Sequence, residues 1–147
     1  MSQTEHFYQV ELSWLAGKEG QLSSGTLPPI MASSPPEFNG KDGIWTPEHL
    51  FLASINSCFM LTFLAIAEIS KLEFISFNCQ ANGKLERPAG AKTFEFTEVT
   101  LTPKVVLKNI EDKTKTEKIL EKSERNCFIS NSIKCAIKLV AEISAGN

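Results

Sequence analysis

The chain has 147 residues, 15 Lys+Arg against 17 Asp+Glu, 42% hydrophobic and 22% charged residues, ordinary globular usage for which a single domain over 1–147 is expected. A net charge of −2, with neither sign gathered in a long block, argues against nucleic acid as a partner. Two histidines, His6 and His49, and two arginines, Arg87 and Arg125, leave little material for a His-rich metal site, a Ser-His-Asp triad or a multi-arginine phosphate clamp.

The opening twenty residues lack the basic start and apolar core of a secretory signal, so free thiols in a reducing cytoplasm are expected. The stretch Phe7-Tyr8-Gln9-Val10-Glu11-Leu12-Ser13-Trp14 is apolar and β-rich, and Gly17, Gly20 and Gly25 punctuate the residues after it; this predicts a β-meander. Pro28, Pro29, Pro35, Pro36 and Gly40 then predict an ordered surface loop up to Gly43, in place of helix or central strand. At Thr46-Pro47-Glu48 a helix begins, with Thr as cap, Pro at the first helical position and Glu at the positive end of the dipole. It is expected to run to about Lys71 and, being apolar nearly all round, to form the core. Its stretch Leu50 to Ala67 is 18 residues without a charge, close to a bilayer span. Ser54, Asn56, Ser57, Cys58 and Thr62 interrupt it, and such groups find partners at the centre of a domain or dimer, so no membrane is expected.

From Phe74 to Glu86 the pattern alternates, with Ile75, Phe77, Cys79, Ala81 and Leu85 on one face. After Pro88-Ala89-Gly90-Ala91 a second strand carries Val99, Leu101, Val105 and Leu107, while Phe94 and Phe96 fall out of phase. A bulge near Thr97 or a second buried face explains the shift, and the pair reads as an antiparallel hairpin over the helix. Asp112 to Arg125 is a charged surface helix with Ile119 and Leu120 inside, extended by Ser123 and Cys127 at four-residue spacing. A short helix capped by Ser130 and one closing strand, residues 137–143, complete an α+β layout.

Four cysteines stand at 58, 79, 127 and 135 without the spacing of a zinc site. Cys58 lies mid-helix in a polar cluster where an apolar residue would be cheaper. Cys127 precedes Phe128-Ile129-Ser130-Asn131-Ser132, where the donors and dipole of the next helix are expected to lower its pKa. Cys79 reads as a core residue, and Cys135 has no such support. Taken alone, each cysteine also fits a small buried hydrophobe.

The run TPEHLFLASINSCF, with NCFISNS about seventy residues later and an early SWLAG followed by Gly20, resembles the OsmC/Ohr family of osmotically inducible and organic hydroperoxide resistance proteins over almost the whole chain. The resemblance implies an OsmC-like fold in an intertwined homodimer with the central helices packed together. It also implies a thiol-dependent peroxidase that prefers organic, including fatty acid, hydroperoxides to hydrogen peroxide. By position, Cys58 would be the peroxidatic thiol and Cys127 the resolving one, with no bound cofactor, no metal and an external dithiol reductant of lipoyl type.

Glu48 matches a functional position of the family. Ten helical residues separate its backbone from Cys58 by ~15 Å, so it is expected to serve the partner's site; a carboxylate favoured by the helix dipole is the alternative. The family's thiolate-stabilising arginine, from the N-terminal strands or the loop before the helix, is missing, since none precedes Arg87. Lys18 in the early Gly-rich turn, Lys41 in the later loop and Arg125 are the candidates to supply its charge. Phe128 stands where many relatives have proline, restoring a backbone N–H and adding an aromatic wall. His49 is a base or an exposed structural residue at the helix start. A competing reading keeps the dimer without efficient turnover, as an apolar-ligand-binding protein or a thiol redox sensor.

Overall fold

Glycine-punctuated turns fold the N-terminal residues into the expected meander of β1 (Glu11–Ala16), β2 (Glu19–Ser23) and β3 (Ile30–Ser33), antiparallel in that order. The computed structural model describes residues 4–146, and the chain divides after Phe51 into two compact units. Gly17 turns β1 into β2 at a φ of 54°, a left-handed conformation that a side chain resists. The proline-rich stretch is more regular than expected: β3 lies inside it as an edge strand, with Pro29 and Pro35 outside its ends, so no proline removes a ladder donor. Loop and a 3-10 turn, Pro36–Phe38, continue as far as Gly43.

Helix α1 (Pro47–Ile69) starts where its cap was expected. The buried Thr46 hydroxyl accepts the His49 backbone N–H at 3.0 Å and bonds the His49 Nδ1 at 2.6 Å, which fixes His49 as part of the helix start. At the other end Lys71 takes a φ of 55°, and the Leu72 and Lys71 amides close on the Ala67 and Glu68 carbonyls in a Schellman ending. A single chain buries one stripe of α1, Ile55, Phe59, Phe63 and Ala67 at four-residue spacing, and leaves Leu61, Leu64 and Ile69 open. By length and composition α1 is long and apolar enough to cross a membrane. Its stripe instead packs on the second unit's sheet, with Phe63 against Phe77 at 4.8 Å and Phe74 at 5.5 Å between ring centres.

That sheet is the expected hairpin, β4 (Phe74–Glu86) antiparallel to β5 (Glu95–Leu107). Val99, Leu101, Pro103, Val105 and Leu107 alternate into the core. Lys84 pairs with Glu98 and Leu85 with Phe96, so Thr97 is the extra residue of a bulge, which is why Phe96 is out of phase. A second bulge at Ile75 was not expected. Phe74 faces Leu107 and Ser76 faces Val106, which turns Ile75 outward and puts Phe74 on the core face that alternation gives to Ile75. Gly83 allows a close approach, since a Cβ there would sit 2.7 Å from the Phe96 ring and 2.8 Å from Leu52.

The expected closing strand is two strands, β6 (Ile137–Leu139) and β7 (Glu142–Ala145), both parallel to β5 along its free edge. Pro103 explains the break. Val140 donates to the Leu101 carbonyl at 2.9 Å, and in a parallel ladder its own carbonyl would next receive the N–H of residue 103, which proline lacks. Helix α2 (Lys113–Arg125) buries Ile119, Leu120 and Ser123 as spacing predicted, and Thr116 with them; its buried hydroxyls return to the carbonyls of Asp112 and Ile119. The short helix after it is a single 3-10 turn, Ser130–Ser132, with Ile129 at the cap position and no side-chain cap bond.

A candidate thiol site between two helices

Four-residue spacing on α1 puts Cys58 and Thr62 on a flank beside the buried stripe, and the same spacing on α2 carries its buried face through Ser123 to Cys127. The second unit brings these flanks together. A groove of about 490 Å³ is lined by Cys58, Leu61, Thr62, Ala65 and Ile66 of α1 and by Lys122, Asn126 and Phe128. Cys127 lies directly behind it, fully buried. Both cysteines are free thiols.

Their environments push them in opposite directions. Burial raises the Cys58 thiol, but it is outweighed by the Ile129 backbone N–H, the Cys127 thiol, the Phe128 backbone N–H and the Thr62 hydroxyl, which together bring Cys58 below the usual thiol range. The Thr62 contribution is the smallest, in keeping with a hydroxyl whose proton also serves the Cys58 carbonyl at 2.8 Å. Cys127 is held above the usual range by burial first. Ser130 lowers it through its hydroxyl and backbone, and the Cys58 sulfur raises it again by accepting its proton and by charge. Cys58 therefore ionises first, while Cys127 stays a thiol and donates to it.

This corrects the expectation for Cys127. The element after it is too short to act as a helix dipole, and the Phe128 and Ile129 amides that such a helix would have offered to Cys127 serve Cys58 instead. Iodoacetamide alkylation of Cys58 should accordingly reach half its maximal rate at a pH below that of an ordinary thiol. Phe128→Pro, which deletes one of the two amide donors, should move that midpoint upward by about one pH unit. An unmoved midpoint in a folded variant would show that the amide does not hold the thiolate.

The remaining candidates lie around this pair or in the first unit. Phe128, 81% exposed, forms a wall of the groove. Arg125 ends α2 exposed; its charge acts on the neighbouring Glu124, whose carboxyl burial raises, and its carbonyl accepts from Asn131 at 3.1 Å. In the first unit Lys18 Nζ donates to the Phe38 carbonyl at 3.3 Å, and Lys41 pairs with Glu19 at 3.7 Å. The four groups that lower Cys58 are uncharged donors, so none of these cations fills the missing arginine's place among them. Glu48 sits in the first turn of α1 with Oε1 buried and without a hydrogen-bond partner. Cys79 is half-buried on β4, where burial pushes its thiol up to about 11.

Sequence reasoning missed Lys122, Asn126 and Asn56. The first two lie one turn apart beside the buried stripe, a signal available once Ser123 and Cys127 define that stripe. In the sequence Asn56 stands out only as part of a polar cluster; its Nδ2 donates to the Cys79 carbonyl at 2.9 Å and braces α1 on β4.

The family model for OsmC-like proteins matches residues 40–142. An OsmC-like protein of unknown function from Vibrio cholerae has the same fold, with a TM-score of 0.83 at 25% identity over 95% of this chain and 99% of its own. An organic hydroperoxide resistance protein from Elizabethkingia anophelis matches with a TM-score of 0.75 at 21% identity, covering 99% of this chain and 100% of that one. The uncharacterized protein YmaD of Bacillus subtilis is 26% identical over 145 residues, 95% of each chain.

Proposed function

From its membership of the OsmC-like family, to which this chain belongs, and from its two unequal thiols, we propose that the protein is a thiol-dependent peroxidase for organic hydroperoxides. The observation that carries the reading is the donation from a buried, high-pKa Cys127 to a low-pKa Cys58 at the end of an apolar groove. The Cys58 thiolate attacks the terminal peroxide oxygen, the O–O bond breaks, and the alkoxide takes a proton and leaves as alcohol. The resulting sulfenic acid is attacked by the Cys127 sulfur; the S–O bond breaks, water leaves with the Cys127 proton, and a Cys58–Cys127 disulfide remains. A dithiol reductant of lipoyl type then gives two electrons and two protons to that disulfide and closes to its own disulfide. Leu61, Ala65, Ile66 and Phe128 suit the organic part of the substrate. Such a cycle needs a reducing compartment, the cytoplasm.

The working unit in this reading is a homodimer. A single chain leaves Leu61, Leu64 and Ile69 on α1 and Leu12 and Trp14 on β1 exposed, and leaves Glu48 Oε1 buried and unpartnered. A second copy packing α1 antiparallel covers the exposed apolar side of α1 and brings Glu48 of one chain to Cys58 of the other.

The test is consumption of cumene hydroperoxide with a dithiol, with intact mass read after one equivalent of hydroperoxide alone and with sedimentation for the dimer. We expect turnover, loss of two hydrogens per chain and a dimeric mass. No turnover and no mass change at excess hydroperoxide would sink the peroxidase, and a monomeric mass would sink the dimer. The missing arginine favours one other reading, a redox sensor, whose signature is the disulfide without turnover.

A further inference from the structure

The residues after α2 form one turn that serves both thiols. Its backbone is tied down by the Asn131 N–H on the Cys127 carbonyl at 3.0 Å, the Ser132 N–H on the Ile129 carbonyl at 2.9 Å and the Asn131 Nδ2 on the Arg125 carbonyl at 3.1 Å. The donors of this turn divide between the two sulfurs: the Phe128 and Ile129 amides act on Cys58, and the Ser130 amide and hydroxyl act on Cys127. Three-residue spacing on a helical turn puts the Ser130 side chain on the same side as Cys127. Its hydroxyl differs from the others nearby. Ser123 Oγ donates to the Ile119 carbonyl at 2.6 Å and Ser132 Oγ to the Phe128 carbonyl at 2.8 Å, the usual recourse of a serine in a helical turn. Among the described residues the buried Ser130 Oγ has no such partner. The Cys127 carbonyl three residues back already takes the Asn131 N–H, and Ile129, not Ser130, stands at the cap of the 3-10 turn. A buried hydroxyl without a partner is unfavourable. Here it lies beside the fully buried Cys127 sulfur, which accepts weakly as a thiol and strongly once it carries charge.

We propose that Ser130 is the donor of the resolving step: its hydroxyl, idle beside the Cys127 thiol, hydrogen-bonds the Cys127 sulfur as that sulfur gains negative charge in attacking the Cys58 sulfenic acid. The inference rests on the peroxidase reading. In this step the S–S bond forms and the Cys58 S–O bond breaks, so that the Cys127 sulfur is oxidised and the Cys58 sulfur reduced by the same electron pair. The Cys127 proton leaves with the departing hydroxyl as water, and Ser130 keeps its own proton throughout. A hydrogen bond made only while the sulfur is charged lowers the barrier of the second step without stabilising the state before it. The first oxidation is untouched, because Cys58 draws on other donors. The titratable group that faces the Cys127 sulfur is Cys58 on α1; on α2 the charges next to it in sequence, Glu124 and Arg125, act on each other.

The test is Ser130→Ala in the full chain, mixed rapidly with one equivalent of cumene hydroperoxide and quenched for intact mass. We expect hydroperoxide loss to keep its rate while disulfide formation slows about tenfold, so that a species one oxygen heavier accumulates on the way to the disulfide. An unchanged rate of disulfide formation would overturn the proposal. A turn loosened by the substitution would also slow that step, and Cys58 reports on it, because its thiolate is held by amides of the same turn. The Cys58 alkylation midpoint should stay in place in Ser130→Ala; an upward shift would assign the slowing to the turn and overturn the role of the hydroxyl. A readout free of hydroperoxide is the titration of Cys127, followed through its 13C-labelled Cβ in Cys58→Ser with and without Ser130→Ala. Loss of the hydroxyl should raise that midpoint by about one pH unit, and an unmoved midpoint would overturn the donation. If no hydroperoxide is consumed while the Cys127 midpoint still depends on Ser130, the peroxidase reading falls and the hydroxyl's hold on the Cys127 thiolate stands.

Discussion

Cys58→Ser is expected to abolish hydroperoxide consumption, whereas Cys127→Ser is expected to allow a single oxidation per chain and then stop at the sulfenic acid. The difference arises from the electrostatics of the pair. A serine hydroxyl at 58 is not ionised by the amides and the Cys127 thiol that lower the cysteine, so the nucleophile is gone. At 127 a serine keeps an O–H that can still donate to Cys58, so the thiolate survives and the first attack proceeds, but no sulfur remains to displace water from the sulfenic acid. Cys127→Ala removes that donor as well and should slow the first oxidation relative to Cys127→Ser. Dimedone labelling read by mass should give an adduct on Cys58 in both Cys127 variants. An adduct on Cys79 would contradict the assignment outright, because burial holds that thiol at about 11, protonated and unreactive near neutral pH. Undiminished turnover by Cys127→Ser would remove Cys127 from the cycle.

Much of the fold is legible in the sequence because the deciding signals are local. Thr46, Pro47 and Glu48 mark the start of α1, and the misfit of Phe96 against Val99 and Leu101 points to the Thr97 bulge. The misses have non-local causes. Nothing around Ile75 announces its bulge, which arises from how β4 is matched to β5. The break between β6 and β7 is set by Pro103, some forty residues earlier in the chain, and shows only when the two segments are laid in register. The site divides in the same way. Cys58 stands out as a polar anomaly on an apolar helix, and Cys127 enters through the family motif. Sequence proximity misleads on which thiol is the acidic one, because the Phe128 and Ile129 amides are adjacent to Cys127 in the chain but act on Cys58 in space. Lys122 escapes notice for a related reason: on a helix this charged, one lysine differs from the others only by the groove it faces.

Phe63→Ala should cost the second unit about 3–5 kcal/mol, the largest stability loss of any single change considered. Phe63 is fully buried in the middle of the α1 stripe, and its ring stacks on Phe77 at 4.8 Å and meets Phe74 edge-on at 5.5 Å. The cavity left by alanine would be walled by β-strand aromatics whose backbone is fixed by the hairpin ladder, so little collapse can recover the lost contacts. Against a typical total of about 5–15 kcal/mol, that is a large fraction of the stability. Urea unfolding followed by circular dichroism should show a lower midpoint with an unchanged slope. The chemistry should suffer by the same route, because Cys58 is carried to the Phe128 and Ile129 amides on α1, whose packing on the sheet Phe63 anchors. The variant's alkylation midpoint should therefore rise toward that of an ordinary thiol under conditions where it is still folded. Leu61→Ala, two residues away on α1 but 60% exposed in a single chain, separates packing within the chain from packing between chains. A cost below about 0.5 kcal/mol is expected of such a surface position in a monomer. A larger cost that grows as protein concentration rises would place Leu61 in the dimer core. If Phe63→Ala costs less than about 1 kcal/mol, the stripe is not the core of this unit, and the thiol's position must be held by something other than the helix packing on the sheet.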